Sequence, residues 1–204
     1  MDAGQVAALR ELLASTGWVE RTVSFAGTMR RSTRTPGGLL LVGTPTEEPW
    51  HLAAHLDDES RWSGVVEIAP TLVRWAVPEG APPHLAVTLE RLERAGRGET
   101  VLVVAEEAAP DRLLERAWDA RRHGATVLSL DGGDEQLAEV AHESLTVAGT
   151  DLVVPDLSFD SVQHLVSVAA GAGGADDGSA RARAGFRNRL ARALDTISGS
   201  PGRS

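Results

Sequence analysis

The sequence predicts a three-layer α/β/α sandwich on a mainly parallel sheet, and three observations predict it. Short, wholly apolar runs recur in "GLLLVG" (38–43), "ETVLVVAE" (99–106) and "ATVLSLDG" (125–132), as expected for strands covered on both faces. Segments of helical period separate them. The links are short, so successive strands run parallel with right-handed crossovers, about five strands in one sheet.

In chain order, residues 4–15 ("GQVAALRELLAS") space Val6, Leu9, Leu12 and Leu13 at helical intervals, which predicts a helix laid by one face on the body. Residues 26–38 ("AGTMRRSTRTPGG") have no period and are rich in glycine, threonine and arginine, so they read as a loop or connecting arm. The strand at 38–43 leads into "PWHLAAHLDD" (49–58), where Pro49 suits a first helical position and Trp50, Ala53, Ala54 and Leu56 follow. One or two strands are expected in 64–77 around Pro70, then a helix over 84–96 stopped by Gly96. The second half repeats the alternation: strand 99–106, helix 109–124, strand 125–132, helix 134–144 and a short strand 145–149. A helix over 159–171 places Val162, Leu165, Val166 and Val168 inward. Residues 171–180 have a linker's composition, and 181–197 predict an arginine-rich helix with Phe186, Leu190, Leu194 and Ile197 on one stripe. The expected plan is thus an N-terminal helix and arm (1–37), an α/β domain (38–170), a linker (171–180), a C-terminal helix (181–197) and a disordered tail (198–204).

Composition removes several chemistries. With 204 residues the chain buries one full core, and no apolar run approaches the roughly 20 residues that span a bilayer. The N-terminus lacks a basic start and apolar centre, so no secretion signal is read and a cytoplasmic location is expected. Cysteine is absent, which excludes disulfides and thiolate chemistry; lysine is absent too, which excludes Schiff bases and a Walker-type phosphate lysine. A formal charge of −9 opposes general nucleic-acid binding, although arginines cluster at 29–34 and 180–194.

The run "GATVLSLDGGDEQLAEVAHESLTV" (124–147), with the strand and helix before it, resembles the sugar isomerase (SIS) domain family in order and spacing. "LLLVGTPTEEPWHLAAHL" (39–56) resembles the first strand, loop and helix of the same family. The resemblance covers about residues 38–170. It implies a flavodoxin-like strand order, a homodimer and a phosphosugar held by hydroxyls and loop amides. In this chain the later loop, "AEEAAP" (105–110), has no hydroxyl and carries Glu106 and Glu107. In the earlier loop Gly43, Thr44 and Thr46 remain candidates, but Glu47 and Glu48 follow at once. Like charges about 4 Å apart repel by roughly 4 kcal/mol at an effective dielectric of 20. The simplest expectation is a retained fold that has lost its phosphate chemistry.

The candidate ligand-binding residues are therefore Gly43, Thr44, Thr46, Glu47 and Glu48. Glu106 and Glu107 are candidate proton acceptors, because loops after parallel strands gather at one sheet edge. Acidic residues at helix starts are also ordinary, favoured by the helix dipole. His51 and His55 stand four apart, a spacing compatible with a metal, but without the glutamate of the HExxH signature. Gln163 and His164 look similar to a glutamine and histidine of some SIS isomerases, in which the histidine transfers a proton; a packing histidine is the competing reading. His142 falls near the family's acidic position, and His123 suits a helix C-terminus. "SLDGGDE" (129–135) lacks G-x-G-x-x-G spacing, so no cofactor is expected, though Asp131 at a strand end would suit a ribose hydroxyl.

The expected function is a non-catalytic SIS-like domain serving as a binding, regulatory or assembly protein, with a second copy or another protein as partner. The alternatives are a sugar-phosphate isomerase or related enzyme of carbohydrate derivatives, and a nucleotide-binding α/β protein.

Overall fold

The computed structural model describes residues 17–82, 85–147, 159–172 and 188. The helix expected over 4–15, most of the linker, the arginine-rich helix apart from Asn188, and the tail lie outside them.

Five strands form one parallel sheet: β1 (Leu39–Val42), β2 (Pro70–Val73), β3 (Thr100–Ala105), β4 (Thr126–Asp131) and β5 (Glu143–Thr146). Their spatial order is β2-β1-β3-β4-β5, the flavodoxin-like order. The central strands are buried on both faces, which is why they read as continuous apolar runs rather than alternations.

Successive residues of β1 go to opposite sides. Leu39 and Leu41 join Leu102, Leu128 and Leu145 beneath α1 (Trp18–Ser32), α2 (Trp50–Ser63) and α5 (Phe159–Ala172). Leu40 and Val42 join Val101, Val103 and Val127 on the other side, against a 3₁₀ helix (Leu89–Arg94), α3 (Asp111–Arg122) and α4 (Glu135–Val140). Each fully buried leucine is worth about 1.5–3 kcal/mol relative to exposure, so this two-sided burial fixes the register.

The structure corrects the sequence reading at 26–32, 84–96 and 134–144, and resolves the one or two strands expected in 64–77 to one. Residues 26–32, expected in a loop, are the second half of α1, which buries Phe25, Ala26, Gly27 and Met29. Arg30 belongs to packing, since its guanidinium donates to the carbonyls of Ala169 (3.0 Å) and Ala170 (2.7 Å) at the end of α5. In place of the helix expected over 84–96, Leu89–Arg94 form a 3₁₀ segment, because Thr88 is extended and bridges in parallel to Arg74 before the chain can coil. The region 64–77 holds one strand, at the sheet edge where Pro70 costs no ladder bond, preceded by a 3₁₀ turn at Val66–Ile68. Helix 134–144 is shorter than expected, ending at Val140, and Asp134 caps it by accepting from the amides of Gln136 and Leu137.

Candidate functional site

In a sheet of this order the direction of strand succession reverses between β1 and β3, leaving a crevice at their carboxyl ends. The loops 43–49 and 106–110 border it, and the start of α5 faces it. A cleft of about 260 Å³ lies here, lined by Glu47, Glu48, Trp50, His51, Asp160 and Gln163 among others.

The loop after β1 is closed upon itself. The amide of Thr44 donates to the carbonyl of Glu47 (3.0 Å), and the amide of Glu47 donates back to the carbonyl (3.3 Å) and hydroxyl (3.1 Å) of Thr44. The hydroxyls of Thr44 and Thr46 lie 3.1 Å apart, and Thr44 is buried. The carbonyl of Gly43 accepts from the Trp75 indole (2.8 Å). A Cβ on Gly43 would lie 2.1 Å from the carbonyl oxygen of Glu47, so glycine is required by this backbone approach, without reference to any ligand. The donors that a phosphate would seek here are thus largely engaged within the turn.

The four glutamates divide. Glu48 turns to Arg74, whose guanidinium approaches it at 3.1 Å, and it also accepts from the amide of Trp75 (3.3 Å). Both side chains are mostly buried, and the same guanidinium stacks over the Trp50 ring at 4.6 Å. Glu47, Glu106 and Glu107 instead share one electrostatic neighbourhood with Asp160. Partial burial first, and then the carboxylates of Glu106, Asp160 and Glu107, hold the Glu47 carboxyl above its usual range. Asp160, on α5, was missing from the sequence reading. The signal available for it was the matching i,i+4 pair Asp160/His164, which faces the pair His51/His55 across the α2–α5 contact.

The histidines sit between these helices. His51 lies 3.7 Å from Asp160 with both side chains well exposed, and the rings of His55 and His164 meet edge to face at 4.6 Å. Burial, followed by the neighbouring His55, lowers the pKa of His164, while Asp160 acts in the opposite sense. Among the described residues no group of three or more acidic or histidine side chains is arranged to hold a metal ion. His142 accepts at Nδ1 from the amide of Val127 (3.0 Å), a structural role beside β4.

Asp131 is likewise engaged. It is fully buried, accepting from Ser129 (2.7 Å) and from the amide of Gly133 (2.9 Å), so its carboxylate is closed to a ribose. A second cleft of about 350 Å³ opens between Glu106–Ala108 and Gly132–Gln136. Its floor is tight: a Cβ on Gly132 would lie 2.1 Å from the carbonyl oxygen of Glu106.

No family model and no curated protein matches the sequence. Solved structures do match. A Salmonella typhimurium LT2 protein described as sugar binding superposes with a TM-score of 0.53 at 17% identity, over 96% of this chain and 55% of that one. The sugar isomerase domain of the RpiR transcription factor from Sphaerobacter thermophilus gives 0.51 at 15% identity, over 94% of this chain and 97% of the domain. The chain has the sugar isomerase fold. The Vibrio vulnificus NanR protein, complexed with ManNAc-6P, shares it with a TM-score of 0.53 at 12% identity, over 98% of this chain and 69% of that one. This chain spans about half the length of the Salmonella protein. The strand order and helix layers expected from the resemblance are therefore present, carried by a loop chemistry of its own.

Proposed function

We propose that the chain is a non-catalytic domain of the sugar isomerase fold that serves as a binding, regulatory or assembly protein. The observation that carries this reading is the pairing of a self-bonded loop after β1 with an acidic rim. Thr44 and Glu47 engage each other, Glu47 and Asp160 line the cleft beside that loop, and Glu106 and Glu107 add their negative charge to the same neighbourhood. A phosphosugar site needs donors and cations at that position. Arg74, which reaches the same edge, is occupied by Glu48. The similar structures include a transcription factor domain and a protein described as sugar binding, which supports sensing or binding by analogy of fold. A homodimer and a cytoplasmic location complete the proposal. Among the described residues no helix is long and apolar enough to cross a membrane.

The test is a thermal-shift screen against sugar phosphates, coupled to an aldose–ketose isomerase assay. No turnover is expected, and no stabilisation by phosphosugars at millimolar concentration, since ligand in excess of its dissociation constant must raise the melting temperature. Turnover that disappears in Thr44→Val/Thr46→Val or in a His164 variant would establish the isomerase alternative instead. The dimer is checked by mass in solution, expected at twice the 21.5 kDa of the chain.

A further inference from the structure

Helices α2 and α5 run side by side in the same direction, and their contacts keep one register. His51 lies 3.7 Å from Asp160, and four residues on along both helices the rings of His55 and His164 meet at 4.6 Å. Seven residues further, a step that returns to the same helix face, Trp62 stands level with Gly171. Glycine has no side chain to lay over the indole.

The exposures follow from this. Trp62 is 74% exposed, more than any other large apolar side chain among the described residues, and Val66, just past the end of α2, is 51% exposed. An indole left in water is a large apolar surface with nothing to pack on. The charge beside it is mostly of one sign, since Asp57, Asp58, Glu59 and Glu67 are set against Arg61 alone in residues 57–67. What fits this helix end is therefore apolar on one side and basic around it.

The chain itself carries a segment of that chemistry. Residues 181–197 place Phe186, Leu190, Leu194 and Ile197 on one helical stripe, and Arg181, Arg183, Arg187, Arg189 and Arg192 are set against a single acid, Asp195. Asn188, the one described residue among them, is helical and exposed, and its position is opposite the stripe. The stripe is thus on the side away from an exposed residue. The tether is short: α5 ends at Ala172, one residue past Gly171, and residues 173–180 reach at most about 28 Å.

We propose that segment 181–197 docks its apolar stripe on Trp62 and Val66 of its own chain, with its arginines toward the acidic end of α2. A short linker gives an effective concentration in the millimolar range, which favours the chain's own segment over that of a second copy. Arginine stems extend the apolar contact while their guanidiniums stay in water beside the carboxylates. Trp62 is about 18 Å along α2 from Trp50, so the docking is independent of any ligand in the cleft.

The chain has no cysteine, so a single probe site can be introduced. A nitroxide on Arg61→Cys of the full chain, read by amide NMR, should broaden the signals of residues 186–197, and Trp62→Ser or Leu190→Ser should each restore them. Trp62 is mostly in water, so its replacement leaves the core intact. Trypsin cleavage after Arg189 and Arg192 should be about tenfold faster in Trp62→Ser than in the parent, since cleavage follows the population of the undocked segment. No broadening over 186–197, broadening that survives both substitutions, or equal cleavage rates would each overturn the proposal. Broadening that appears only when probe-bearing chains are mixed with isotope-labelled chains lacking the probe would overturn it in favour of a contact between two copies.

Discussion

Glu47 and Glu48 are neighbours on one loop, yet the regions they enter differ in kind. Glu48 enters a compensated region: a guanidinium, a backbone amide and an aromatic ring surround it, and it fixes the edge strand to the loop after β1. Glu47 enters an uncompensated one, where burial and three other carboxylates oppose its charge. The difference teaches that acidity alone assigns nothing. A carboxylate with its cation in place is architecture, whereas one among its own kind leaves a field to be answered from outside.

The comparison is broken most severely at Glu48. Glu48→Ala would leave a mostly buried Arg74 unpaired and should cost about 3 kcal/mol, while Glu48→Gln, which keeps the amide contact, should cost clearly less. Urea denaturation of both variants checks the difference; equal, negligible losses would place Glu48 among the solvated acids. Gly43→Ala comes next, at about 2 kcal/mol, as for other overpacked sites. Its Cβ would meet backbone that cannot rotate away. A neutral result from the same unfolding curves would show that the turn is loose enough to be reshaped by a ligand.

Smaller effects come from titration. The pKa of His164 is lowered in the folded protein, so its contribution is fully present above the ordinary 6.5 and is lost as pH falls through the lowered value. Acidification should therefore weaken the α2–α5 contact, and His164→Gln should flatten that part of the pH–stability curve; an unchanged slope would remove His164 from the account. The smallest effect is at Glu47. Its carboxyl is raised, so the native state holds the proton more readily, and the penalty is present at neutral pH and relieved as pH falls through the raised value. Glu47→Gln should be slightly more stable than the parent at pH 7, with the advantage vanishing in acid.

Much of this architecture was legible because parallel strands buried on both faces announce themselves as apolar runs, as in residues 39–42 and 101–105. Helix α1 was not, because Gly27, Thr28 and the arginines after Met29 hide a helix packed over most of its surface, with Arg30 turned to carbonyls 139 and 140 residues away. The gathering of Glu47 with Glu106 and Glu107 followed from the rule for strand ends. The departure of Glu48 did not, since its partner Arg74 lies 26 residues on and no local pattern links them. Asp160 was hidden in the same way, since its neighbour His51 lies on a helix distant in sequence; Gln163 was legible from the resemblance, but its place in a cleft between sheet edge and α5 exists only once the chain has closed.

The loop after β1 is a closed turn beside an acidic rim, and the proposed function requires that it does not cradle a phosphate. Amide NMR of Thr44, Thr46 and Glu47 during titration with inorganic phosphate tests this directly, read together with their hydrogen exchange. Slow exchange at Thr44 and Glu47, with no saturable shift at any of the three, is the predicted result. Saturable shifts at these amides, accompanied by loss of protection as the turn opens around the anion, would contradict it.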